Sequence, residues 1–163
     1  MSDNSFIIYE EDLNKIDALI NKLLKGAEAK CALLVDKDGH LITRQGFTHS
    51  LDTTALAALL AGSFASTKEI ARLVGEPEFS VLFHQGKKDH IHMCLVGERS
   101  ILVVIFDDRT TIGMVRLYAK ETAIELGKVF EEIAAKQNDG GNPEISDDFA
   151  EMAQDKLDDI FQD

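Results

Sequence analysis

The chain has 163 residues, 45% apolar and 28% charged, which suits one globular domain with an extension. Its net charge of −12 argues against a general nucleic-acid binder, which needs a basic surface, and disfavours anionic membranes. No run reads as a signal peptide or a membrane span, and Cys31 and Cys94, both within apolar strand-like runs, read as buried free thiols in a reducing compartment.

After a short apolar lead-in at residues 6–9, residues 10–26 carry helical spacing. Leu13, Ile16, Leu19, Ile20, Leu23 and Leu24 fall on one face. Glu10, Glu11 and Asp12 suit the positive end of the helix dipole, Lys22 and Lys25 the negative end, and Gly26 is expected to end the helix. Residues 30–36 and 40–47 read as a strand pair. The turn Asp36-Lys37-Asp38-Gly39 joins them, with Gly39 expected at positive φ.

Residues 51–75 form the long helix around which the chain is organised, with Asp52 as N-cap and Gly75 at the C′ position. Leu56, Leu59, Leu60, Thr67, Ile70 and Val74 make a bulky stripe, read as a core face. Ala58, Ala61, Gly62 and Ala65 make a second stripe of minimal side chains. Such a stripe lies either under a crowded strand of the same domain or against another molecule's backbone, and the pattern alone favours neither.

Three strands follow, at residues 79–84, 89–96 and 100–107. The last contains ILVVIF, an unbroken apolar run of the kind buried on both faces, hence central in a sheet. Residues 111–137 form the second long helix, with Met114, Leu117, Tyr118, Ile124, Leu126, Val129, Phe130 and Ile133 at its apolar positions. Short connections within each strand group imply antiparallel pairing. The fold class is α+β: a five-stranded antiparallel sheet with helices on both faces, in the order α-β-β-α-β-β-β-α. The domain spans residues 6–137, a linker residues 138–145, and an acidic amphipathic segment residues 146–163. Most of the net negative charge lies in residues 137–163. Phe149, Met152, Leu157, Ile160 and Phe161 recur there near helical spacing, which favours a helix formed on a partner groove over a disordered acidic tail.

No constellation reads as a self-contained active site, so the chain is not expected to be an enzyme. His90, His92 and Cys94 alternate onto one strand face and could hold a metal, but paired metal-ligand spacings are absent, and a solvated or partner-facing strand side is the blander reading. Gln85-Gly86-Lys87-Lys88 lacks the pattern of a phosphate loop. Asp107 and Asp108 read as strand-end turn residues, and no single arginine among Arg44, Arg72, Arg99, Arg109 and Arg116 stands out as a catalytic finger.

Several runs together resemble the roadblock (dynein light chain) family, and more closely its bacterial GTPase-activating members: YEEDLNKID at 9–17, LLVDKDGHLI at 33–42, LDTTALAALLAG at 51–62, FHQGKKD at 83–89, LVVIFDDRTTIGMVRL at 102–117 and ISDDFAEMAQDKLDDIF at 145–161. The resemblance implies a homodimer whose sheets join edge to edge and whose middle helices form a platform for one small Ras-like GTPase of the MglA type. Two copies of the chain would serve each GTPase. It implies acceleration of GTP hydrolysis by reordering the GTPase's own residues, without an arginine supplied in trans, in the cytoplasmic machinery of bacterial polarity and gliding motility, with enrichment at a cell pole. GTP and Mg would belong to the GTPase, leaving this chain without a cofactor. Ala58, Ala61, Gly62 and Ala65, flanked by Ser66 and Glu69, would meet the GTPase. Phe149, Met152, Leu157, Ile160 and Phe161 would reach it from the C-terminal helix and influence nucleotide handling. Two alternatives stand beside this reading: a non-catalytic scaffold of the same fold, and a small-molecule or metal-sensing domain using His90, His92 and Cys94.

Overall fold

The computed structural model describes residues 7–138, so the linker from residue 139 onward and the acidic segment at 146–163 lie outside the described residues. The chain divides into two compact units, Tyr9–Val129 and a smaller one that includes Ile7, Ile8 and residues 130–138. In the smaller unit the Gln137 side-chain amide donates to the Ile7 carbonyl at 3.1 Å.

The elements are α1 (Glu10–Ala27), β1 (Cys31–Asp36), β2 (Leu41–Gly46), α2 (Thr53–Val74), β3 (Val81–Gln85), β4 (His90–Val96), β5 (Ser100–Phe106) and α3 (Ile112–Asn138). The five strands form one antiparallel sheet in the order β2-β1-β5-β4-β3. The unbroken apolar run therefore lies in the middle strand, and every residue of β5 is buried. A strand covered on both faces needs no polar alternation, which is why its sequence shows none.

Register assigns the faces. Leu33 pairs with Val103, and Val103 with Met93; Arg44, opposite Leu33, donates from Nη1 to Thr53 Oγ1 at 2.8 Å. That face carries α2, whose Ala57, Leu60, Ala61 and Phe64 join Leu33, Val35, Met93 and Val103 in one core. The alternate residues face α1: Thr43 Oγ1 donates to Asp17 Oδ1 at 2.6 Å and Asn21 Nδ2 to Gln45 Oε1 at 3.1 Å. Within the larger unit, Tyr118 of α3 lies against Gly26 of α1, and the charge of Arg116 acts on His92 of that same face.

Local chemistry sets the ends of α2. The Asp52 carboxylate accepts the Ala55 N–H at 3.0 Å, and Gly75 adopts φ 82° at the C-terminus. In the β1–β2 turn Gly39 has φ 92°, and a Cβ there would stand 3.1 Å from the Ala58 Cα, so the hairpin tip approaches the α2 backbone closely.

Two expectations are corrected. Gly26 does not end α1; the left-handed residue is Glu28, φ 54°. Gly26 is glycine because any side chain would run into the Tyr118 ring. The bulky stripe of α2 is not a single core face either. Leu60 is buried, and Leu56 and Thr67 are half-buried, but Leu59, Ile70 and Val74 are exposed. The sheet instead receives a narrower line of Ala57, Leu60, Ala61 and Phe64, in which two alanines alternate with the two large side chains that fill the core.

Candidate partner-binding surface

The outward side of α2 is nearly featureless. Ala58, Gly62, Ala65, Ser66 and Glu69 are all exposed. A Cβ built on Gly62 would meet nothing within 4 Å, so no packing among the described residues asks for glycine at this mid-helix position. Glycine there costs roughly 0.5–1 kcal/mol of helix stability relative to alanine. The Ser66 hydroxyl donates to the Gly62 carbonyl at 3.1 Å, holding it down against the helix. Glu69 pairs with Arg72 Nε at 3.1 Å, both exposed, an arrangement that contributes little to stability. Ala61 departs from the expected set. It is 4% exposed and belongs to the core under the helix, so its side chain does not reach this surface. The sequence stripe is thus split, with Ala61 turned to the sheet and Ala58, Gly62 and Ala65 turned to solvent.

A second surface went unrecognised in the sequence. Ile70, Leu73 and Val74, at the C-terminal end of α2, are exposed, Leu73 to 74%. The chain then leads through Phe79, which is partly open, into β3, which among the described residues pairs only with β4 and leaves Val81 and Phe83 partly open. An exposed edge with apolar side chains is a template for pairing with another chain. The residue types were visible in the sequence; the strand order that makes β3 an edge was not.

A Roadblock/LC7 domain model matches residues 15–106, more than half of the chain. The chain belongs to the Roadblock/LC7 family. Within that family it is similar to Myxococcus xanthus MglB, at 49% identity and a TM-score of 0.74, covering 78% of this chain and 96% of that one. It is also similar to the gliding protein MglB of Thermus thermophilus, at 28% identity and a TM-score of 0.74, covering 78% and 97%. An MglB solved in a tetrameric arrangement is 28% identical with a TM-score of 0.75, covering 79% and 97%.

The chemical clusters of this roadblock chain hold themselves together. His90, His92 and Cys94 do not converge as metal ligands. Among the described residues the group of ligand atoms that does converge is Asp36, Asp38 and His40, within 4.8 Å of one another. That group is the hairpin turn itself, where Asp36 Oδ1 accepts the N–H groups of Asp38 at 3.0 Å and His40 at 2.9 Å. Burial pushes the Cys94 thiol up to about 12 and the Cys31 thiol up to about 11, so neither is a ready nucleophile. His90 Nδ1 accepts the Gly86 N–H at 3.2 Å, and a Cβ on Gly86 would collide with the Asp89 carbonyl; Gln85 ends β3, and residues 86–88 belong to the short loop that joins it to β4. Hydrogen bonds from the Arg109 side chain and backbone hold Asp107 below its ordinary value, and Asp108 lies 3.5 Å from His90 Nε2, so this carboxylate pair closes the end of β5. Arg44, Arg72 and Arg109 are each tied to a neighbour. Among the described residues no helix is long and apolar enough to cross a membrane.

His92 has a measurable consequence. It is 2% exposed, its Nδ1 has no hydrogen-bond partner, and burial followed by the nearby Arg116 charge lowers its pKa from 6.5 to about 4. The folded state therefore holds His92 neutral where the unfolded chain begins to protonate. This contribution to stability is complete above pH 6.5 and is lost as pH falls towards 4. The unfolding free energy of the wild type, minus that of His92→Gln, should fall by about 3 kcal/mol between pH 7 and pH 4. Denaturant melts at both values measure it, and a difference independent of pH would show that His92 does not titrate in this way.

Proposed function

We propose that this chain is a homodimeric regulator of a small Ras-like GTPase of the MglA type and that it accelerates GTP hydrolysis without an active site of its own. The observation that carries the reading is the outward side of α2. Gly62 stands there between Ala58 and Ala65 with open space above it, where no contact among the described residues requires glycine. A helix side without relief lets a second backbone approach closely, which suits a switch segment that must be held in one arrangement. The 49% identity to an MglB supports the same assignment.

In this reading two copies join through the β3 edges and the adjoining ends of α2, and the paired helices receive one GTPase. Ala58, Gly62, Ala65, Ser66 and Glu69 supply that surface, while Ala61 supports it from the core. The MglB seen in a tetrameric arrangement supports self-association in this group. Phe149, Met152, Leu157, Ile160 and Phe161 give a second contact from the acidic C-terminal segment, which the domain division 6–137, 138–145 and 146–163 sets apart. The process served is the positioning of cell polarity for gliding.

The mechanism is selection among switch arrangements. A partner shifts an equilibrium only by its differential affinity for the two states, so the regulator must bind the GTP-loaded form more tightly than the GDP-loaded one. Hydrolysis speeds up if the selected arrangement already places the GTPase's own catalytic groups. Binding measured calorimetrically with each nucleotide should differ by at least about tenfold, or about 1.4 kcal/mol. Equal affinity for both forms would leave no means of activation.

A further inference from the structure

Beside the outward side of α2 the fold leaves a cavity of about 190 Å³. Ala65, Phe79 and Leu95 contribute apolar wall, and Lys37, Lys68 and Glu78 stand at its charged rim. A dry apolar cavity of about 150 Å³ accepts benzene, so this one has room for a single large apolar side chain. Its rim carries a net positive charge in a chain whose net charge is −12. Lys37 and Lys68 are exposed, and among the described residues neither has an ion-pair partner.

We infer that this cavity receives an anchor from the GTPase: one large apolar side chain on a segment that also bears a carboxylate, the ring or branch entering between Phe79 and Leu95 and the carboxylate meeting Lys68 or Lys37. The inference rests on the GTPase reading and deepens it by naming what the partner must present. Two observations favour the GTPase as occupant. Ala65 belongs both to the cavity wall and to the outward small-residue surface, so a molecule seated on that surface lies over the cavity mouth. The rim lysines complement an acidic segment, and a large side chain seated in a desolvated pocket is a common form of interface hot spot.

The test uses the full chain and a small Ras-like GTPase of the MglA type, loaded with a non-hydrolysable GTP analogue. Wild-type affinity is measured first, then Leu95→Phe, which fills the cavity, and Lys68→Glu, which reverses the rim. Each should weaken the complex at least tenfold, and the Lys68→Glu loss should shrink in high salt, as rim charges do. Homodimer mass and melting temperature should stay unchanged. If Leu95→Phe melts early, Thr67→Leu narrows the same cavity from the helix side. Wild-type binding with full affinity in a folded filling variant would overturn the anchor while leaving the GTPase reading standing. A change in dimer mass at unchanged GTPase affinity would give the cavity to a second copy of the chain and overturn it equally. Failure of the wild type to bind would remove the GTPase reading and the anchor with it.

Discussion

Ala65→Arg is expected to abolish binding to the GTP-loaded GTPase and to leave the homodimer intact. Ala65 is exposed on the outward side of α2, beside the cavity, so a longer side chain has room among the described residues. Arginine is also among the better helix formers, so α2 should keep its stability to within a few tenths of a kcal/mol. What changes is relief. A long guanidinium side chain now rises from a surface whose neighbours are Ala58, Gly62 and Ser66. A backbone seated there must either move away or bury an unpaired charge. The expected loss is at least 100-fold, about 2.7 kcal/mol, since an uncompensated buried charge commonly costs more than that. Titration calorimetry reads the affinity and sedimentation the dimer. Binding within threefold of wild type would mean that the GTPase sits elsewhere.

The second large effect is on assembly. The double variant Leu73→Lys with Val81→Lys should sediment as a folded monomer at concentrations where the wild type is a dimer. Leu73 is 74% and Val81 42% exposed, so neither substitution removes much packing within one chain. Both place lysines on the proposed joining surface, and lysine on an edge strand is a common natural block to strand pairing. A weakening of at least 100-fold is expected, and stimulation of the GTPase should fall with it because half of the paired α2 surface is gone. Retention of the wild-type mass with normal melting would place the dimer contact on another edge, with β2 the remaining candidate.

The element order was legible because each boundary carries a local signal. Asp52 and Gly75 bracket α2 through a side-chain cap and a left-handed residue, both readable from residue type. The ILVVIF run announced a strand covered on both faces, and its place in the middle of the sheet follows. What failed depended on contacts distant in sequence. Gly26 read as a helix stop because glycine suits that role, whereas its real constraint is the Tyr118 ring. Helical period revealed stripes on α2 but not which stripe the sheet would take. Three of its buried positions, Ala57, Ala61 and Ala71, are alanines, too small to mark an inward face. Periodicity therefore reads Leu59, Ile70 and Val74 as a core face and leaves the side of Ala61 open, and the family resemblance alone puts Ala61 on the partner surface, whereas the first three are exposed and Ala61 is buried. Strand alternation grouped His90, His92 and Cys94 on one side but could not show that His92 and Cys94 are sealed there. The β3 edge was invisible for the same reason, since edge status is a property of strand order and not of residues 81–85.

The most direct measurement is single-turnover GTP hydrolysis by a small Ras-like GTPase of the MglA type, with and without saturating protein. A large acceleration is expected, and it should survive replacement of Arg44, Arg72, Arg99, Arg109 and Arg116 one at a time, because the proposed mechanism leaves every catalytic group to the GTPase. Unchanged hydrolysis in a complex shown to have formed would contradict activation and leave the chain a roadblock adaptor. Loss of the acceleration on replacing a single exposed arginine would instead mean that this chain supplies a catalytic group in trans.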